Sequence, residues 1–390
     1  MSAYNAREMV QGEDKGGTMT IQQRGDDQPQ STGIDSISPP RYPRLLGAVV
    51  LFLTSCPLWA SGQSLIATIT PAASSRPGLW LEVALHNVSS EPQALLTWNT
   101  PFEGTFNADM FRITGIKATY TGRLVKRAKP QQGQIRLLQP DETITTVIDL
   151  AQGYDLERAG AFQAQLATTM QRLPAAAAKA AGQDAAAQAV PQELRSDPVA
   201  MQARSADLHE PHPEPQVGTT ACSAAEGYVI AMAAQLAEVM AQDAVTALQG
   251  TPPEARSTAV RYTTWFGAHD IKRYQIVVNH FTAIQEALPK VHVQCGCNDP
   301  SMYAYVVPKQ PYTIHVCPVF WDAPLGGTDS KAGTLVHETS HFTVVAGTQD
   351  HAYGQQAAME LATAHPEQAI ANADSHEYFA ENNPELPMSP

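Results

Sequence analysis

Residues 337–354 read His-Glu-Thr-Ser-His-Phe-Thr-Val-Val-Ala-Gly-Thr-Gln-Asp-His-Ala-Tyr-Gly. The stretch opens with H-E-x-x-H. On a helix, His337 and His341 lie four residues apart and project from one face. Two imidazoles so placed can hold one zinc ion, with Glu338 beside them as a base toward water. A bare pentad is weak evidence, because a buried amphipathic helix can also carry two histidines satisfied by its core. The third ligand decides the kind of site. Asp350 lies nine residues after His341, and a tight Gly-Thr turn can bring its carboxylate back to the metal. His351 is a competing imidazole, and Glu360 or Glu377 could supply a carboxylate from a later helix. Tyr353 could offer its phenol to a developing oxyanion.

These residues need a helix followed by a turn. Thr328, Asp329 and Ser330 are N-cap candidates. Residues 331–346 lack Pro and carry Leu335, Val336, Phe342 and Val345 at helical spacing, and Gly347 stands as a C-cap. Further helices are expected over 223–249, 269–288, 354–364 and 366–380, with a break at Pro366. Residues 303–307 and 313–317 read as a small hairpin, in which His315 is a strand residue and not a ligand.

Val344 and Gly347 stand where a metzincin would need a Gly and a third His, which excludes that class. H-E-x-x-H followed by G-T-x-D-x-x-Y-G resembles instead the aspzincins, the deuterolysin family of zinc endopeptidases. Tyr262-Thr-Thr-Trp-Phe-Gly267, Tyr303-Ala-Tyr305, Phe320-Trp321, Gly327-Thr-Asp-Ser330, Gly333-Thr-Leu335, Asn372-Ala-Asp374 and Glu377-Tyr-Phe379 extend the likeness over roughly 219–383, toward the peptidyl-Lys metalloendopeptidase branch. The resemblance implies that His337, His341 and Asp350 bind one Zn2+, that Glu338 is the general base and that Tyr353 stabilises the transition state. It also implies disulfides Cys222–Cys295 and Cys297–Cys317.

Composition fits an exported enzyme with a precursor region. The chain has 390 residues and a net charge of −13. From Thr219 onward there are 7 Lys+Arg against 17 Asp+Glu. Such an acidic region argues against a nucleic-acid partner and suits cationic substrates. Residues 45–60 form a short apolar run behind Arg41 and Arg44, which reads as a signal-peptide core with cleavage after Ala60. Secretion is therefore expected, with no stable membrane insertion once the signal is removed. The rival reading is a lipoprotein anchored through Cys56. Without Cys56, four cysteines remain, an even number that suggests disulfides. Cys295-Gly-Cys297 lacks the spacing of a structural zinc site.

The expected order is an N-terminal extension and signal (1–60), a β-sandwich-like pro-domain (61–172), an Ala/Pro-rich linker carrying the activation cleavage (173–218), and a mainly α-helical, α+β zincin catalytic domain (219–390). Short alternating strands at 65–69, 79–85, 94–98, 111–113 and 143–150 support the sandwich. It is expected to act as the enzyme's own intramolecular inhibitor. No cysteine between the signal and residue 219 is available to ligate zinc. His209 and His212 read as solvated linker residues.

Asp374 and Glu377 share a helix face and could attract a lysine ammonium. Both carboxylates match acidic positions of the peptidyl-Lys branch. The expected reaction is hydrolysis of protein and peptide substrates on the N-terminal side of lysine. The alternatives are a deuterolysin-like protease without lysine preference and a non-catalytic zinc-binding adhesin or toxin module.

Overall fold

In a computed structural model, the structure describes residues 64–74, 77–174, 189–208 and 222–388. The expected signal, Cys56, the Ala-rich run at 175–188 and both linker histidines lie outside these residues. Strands fill the N-terminal part, and helices with a small sheet fill the rest.

The N-terminal strands are β1 (Leu65–Pro71), β2 (Trp80–Asn87), β3 (Gln93–Leu96), β4 (Phe111–Thr114), β5 (Ala118–Tyr120), β6 (Leu124–Arg127), β7 (Ile135–Leu138), β8 (Thr143–Asp149), β9 (Tyr154–Leu156), β10 (Gly160–Leu173), β11 (Val190–Arg195) and β12 (Val199–Ala203). A sheet ordered β1-β2-β8 faces a larger one ordered β11-β10-β3-β7, to which β4 and β12 add along β10. Alternate residues of β1 and β2 point inward, so Leu65, Ala67, Ile69, Leu81, Val83 and Leu85 meet Phe162, Ala164 and Leu166 of β10 in one core.

Residues 190–203 fall in the segment read as linker, yet they form β11 and β12, both antiparallel to β10. Pro191 sits on β11, the outer strand of its sheet, where a missing N–H does not break a ladder.

The remainder contains α1 (Ala224–Gly250), α2 (Val260–Phe266), α3 (Ile271–Ala287), β13 (His292–Gln294), β14 (Met302–Val306), β15 (Thr313–Val316), α4 (Pro318–Asp322), α5 (Lys331–His341), α6 (Gln355–Ala364), α7 (Pro366–Ala369) and α8 (Ala373–Glu381). Ser223 caps α1 in a capping box with Glu226, and Asp270 caps α3. Buried Ala233, Ala237, Ala241 and Ala244 line one face of α1, and their small side chains let it approach the other helices closely. Every residue of α5 is buried. It packs against α1, α3 and α8, with β14 and β6 over it. Gly333 allows the closest approach: a Cβ there would meet Glu381 and Glu377 of α8. Disulfides Cys222–Cys295 and Cys297–Cys317 tie the start of α1 and the β15–α4 junction to the loop after β13. No helix among the described residues is long and apolar enough to cross a membrane.

Two helix boundaries differ from expectation. α5 stops at His341 and not at 346, because Thr343 N–H bonds Pro308 O and Phe342 leaves the helical region. The 366–380 segment breaks again before Ala373, where Gln349 and Asn372 form an isolated parallel bridge.

The small sheet runs β13-β15-β14-β6. Its outer strand comes from the N-terminal part of the chain, antiparallel to β14.

Candidate active site

Ser330 caps α5 by accepting from Gly333 N–H, which places His337 and His341 in the last turn and a half. Beyond the helix, Gly347 takes φ +62° and Thr348 N–H returns to Ser340 O, so the chain doubles back. The turn delivers Asp350. Its Oδ1 lies 3.2 Å from His337 Nε2 and 3.4 Å from His341 Nε2. Three donors about 2.0–2.1 Å from a tetrahedral ion would be about 3.3–3.4 Å apart. These three atoms are buried, and none has a hydrogen-bond partner. A buried orphan set of two imidazoles and one carboxylate suits zinc.

The far side of each imidazole is held. Nδ1 of His341 lies 2.9 Å from Thr348 O. Nδ1 of His337 lies 2.9 Å from Asp374 Oδ1 and 3.2 Å from Glu377 Oε2. Such outer contacts fix each ring so that Nε2 faces the Asp350 carboxylate, where a metal ion could be held. Asn372, which the sequence named only within Asn372-Ala-Asp374, has a role that its pattern did not give. Its Oδ1 accepts from His351 N–H and Ala352 N–H, and so pins the turn that carries Asp350.

His351 faces away, its Nδ1 3.4 Å from Thr169 Oγ1. Glu360 is exposed and accepts from Gln356. His315 stacks on Tyr305 at 4.6 Å. Glu338 is fully buried, and that burial, partly offset by His337 and His341, pushes its carboxyl up to about 7. The Tyr353 phenol donates to Asn99 Oδ1 at 3.0 Å. Burial, reinforced by Asp350, raises its pKa well above the ordinary tyrosine value.

Asp374 and Glu377 do not have the same contacts. Asp374 Oδ2 accepts from Gly354 N–H at 2.6 Å and from Tyr378 OH at 3.3 Å, while Oδ1 faces His337. Glu377 Oε2 accepts from Lys126 Nζ at 2.7 Å, and Asp329 Oδ1 accepts from the same ammonium at 3.2 Å. The Tyr303 ring lies 4.8 Å from that nitrogen. The sequence named Asp329 as a helix-cap candidate and within Gly327-Thr-Asp-Ser330, with no role in a lysine pocket; it takes φ +52° just before Ser330. Burial disfavours the charged Lys126 amine, but Glu377, Asp329 and Asp374 outweigh it and hold its pKa well above that of a free lysine.

Comparison with known proteins settles the family. The aspzincin family model, described as lysine-specific metallo-endopeptidase, matches residues 253–381. An extracellular protease of Aeromonas hydrophila is 36% identical over 343 residues, spanning 84% of this chain and 94% of the relative. The chain belongs to the aspzincin family. It is a zinc metalloendopeptidase. This aspzincin is also 46% identical over 166 residues to a peptidyl-Lys metalloendopeptidase of Pleurotus ostreatus, a match that spans 42% of this chain and 96% of the relative. The solved zinc peptidase from Grifola frondosa is 43% identical, spans 42% of this chain and 99% of that one, and superposes with a TM-score of 0.40.

Proposed function

We propose that this aspzincin is secreted as a precursor and cleaves proteins on the N-terminal side of lysine. One observation carries the specificity: a buried lysine ammonium, that of Lys126, already sits between Glu377 and Asp329. A buried cation is costly unless acceptors meet it, and carboxylates meet it best, so the pocket favours a long side chain with a terminal charge. Asp374 adds negative charge while orienting His337. The name of the Pleurotus relative fits this reading.

In the proposed mechanism His337, His341 and Asp350 hold the zinc ion. When bound, zinc supplies Lewis-acid polarisation of the scissile carbonyl and acidifies water. Glu338 takes a proton from the attacking water and passes it to the leaving amine of lysine. The Tyr353 phenol donates to the oxyanion once released from Asn99. Retention of Glu338 and Tyr353 favours a protease over a purely structural zinc module, which needs neither residue.

The N-terminal strands are proposed to act as propeptide. The Pleurotus relative matches over almost its whole length with only 42% of this chain, so a protease of this kind needs only the helical part. Secretion is supported by the name of the Aeromonas relative, by the apolar run at 45–60 and by two disulfides. The test is to digest a denatured protein with the processed enzyme, with and without chelator, and sequence the new termini. Lysine should begin the new peptides, and chelator should abolish them; random or apolar first residues would reject the lysine preference.

A further inference from the structure

Strand β6 has an unusual composition for its setting. Leu124, Val125, Lys126 and Arg127 are all buried, although two of the four are cations. It lies on β14 with Leu124 opposite Val306, Val125 opposite Tyr305, Lys126 opposite Ala304 and Arg127 opposite Met302. The register slips at Tyr303, so a bulge faces Lys126, and the Tyr303 ring lies near its ammonium. Without β6, β14 would be an unpaired edge able to accept a peptide as an added strand.

The backbone of β6 also addresses the catalytic residues. Val125 N–H donates to Asp350 Oδ2 at 3.2 Å, and Lys126 N–H donates to Glu338 Oε1 at 3.2 Å. In hydrolysis before a lysine, the lysine nitrogen is the atom that leaves and needs a proton. Here that nitrogen is the one facing Glu338, while its side chain fills the acidic pocket. Neighbouring groups lock the strand in place. Arg127 pairs with Glu103 at 2.5 Å, and Ala128 N–H bonds Ser301 O at 2.9 Å.

We propose that Leu124–Arg127 is a built-in substrate mimic, which silences the uncut enzyme by placing Lys126 in the lysine pocket with the Val125–Lys126 bond in the position of a scissile bond. This rests on the precursor and lysine readings above, and adds the residue and register through which latency acts. It differs from a module that merely shades the cleft, because one side chain carries the specificity of the block. A tethered mimic competes at millimolar effective concentration, so a free substrate must displace it before entering.

The test compares the initial rate of a one-lysine fluorogenic peptide on uncut full-length chains, with integrity checked by mass spectrometry. Lys126→Gln should raise the rate of the uncut chain about tenfold or more. A peptide with the sequence of residues 123–128 should compete with substrate on the processed enzyme and be cut between its Val and Lys; its Lys→Gln counterpart should do neither. If the Lys126→Gln chain does not fold, the peptide pair alone decides. A folded Lys126→Gln chain as silent as the unsubstituted one, together with an inert peptide, overturns the mimic while leaving precursor and lysine preference standing. An unsubstituted uncut chain as active as the processed enzyme removes the precursor reading, and the mimic with it. Processed enzyme that cuts before residues other than lysine removes the lysine reading instead.

Discussion

His337 Nδ1 lies 2.9 Å from Asp374 Oδ1, while Glu377, three residues later on α8, reaches Lys126 Nζ at 2.7 Å. Both carboxylates face His337 Nδ1, Asp374 the more closely, but Glu377, 3.2 Å from that nitrogen, alone of the two also holds the Lys126 ammonium. Asp374→Asn should lower zinc affinity by about 10–100-fold, with preference for lysine retained. Glu377→Gln should lower kcat/KM for lysine substrates by about 10–100-fold, since a charged hydrogen bond contributes about 1.5–3 kcal/mol, with most zinc affinity kept. Asp329→Asn should follow Glu377→Gln. Titration with a competing chelator and mapping of cleavage sites separate the two effects. Identical behaviour of all three variants would argue against this division.

Glu338→Gln should reduce turnover by about 10²–10⁴-fold and leave zinc content unchanged. The amide preserves size and can still accept from Lys126 N–H, so the strand contact at β6 survives. Metal content and peptide hydrolysis measured on one preparation check this. Full activity of the amide variant would exclude Glu338 as the proton carrier.

Asn372→Ala should weaken both fold and metal site. The N–H groups of His351 and Ala352 would lose their shared acceptor. Each unsatisfied buried donor costs about 1–3 kcal/mol, and the turn carrying Asp350 would loosen. The expected outcome is a lower melting temperature and faster zinc loss to chelator. An unchanged zinc off-rate would show that Gly347 and Thr348 hold the turn unaided.

The zinc motif was legible because its chemistry is local: the spacing of His337 and His341 sets their common face, and a short turn brings in Asp350. Strands with alternating apolar residues, such as β1 and β2, were legible for a similar reason. β6 was not. Leu-Val-Lys-Arg has no alternation, and its cations are buried only because Asp329 and Glu377, more than 200 residues away in sequence, meet Lys126 while Glu103 meets Arg127. β11 and β12 were obscured by Pro191 and Pro198, which read as linker chemistry; Pro191 sits on an outer strand and Pro198 in the connection between the two. The early end of α5 depends on Pro308 O, an acceptor no local pattern announces.

His376 Nδ1–H donates to Asn372 O at 2.8 Å, so its Nε2 accepts from His280 Nδ1–H at 3.1 Å. That chain requires a neutral His376, because a protonated Nε2 could not accept. Burial lowers His376 to about 3, with help from the nearby His280, and burial lowers His280 to about 4. An unfolded histidine titrates near 6.5. Between those limits the unfolded chain binds protons that the native chain refuses, so stability is full above about pH 6.5 and falls as pH drops toward 4. Each ring contributes up to about 1.4 kcal/mol per pH unit in that window. His376→Phe, packed beside Phe266 and Phe281, should lower stability at neutral pH through the lost bond to Asn372, yet flatten the acid slope. Urea midpoints at pH 7 and 5 for both proteins measure it. Zinc release adds to the slope of each protein alike, so the difference between the two slopes is decisive, and equal slopes would place the acid sensitivity elsewhere.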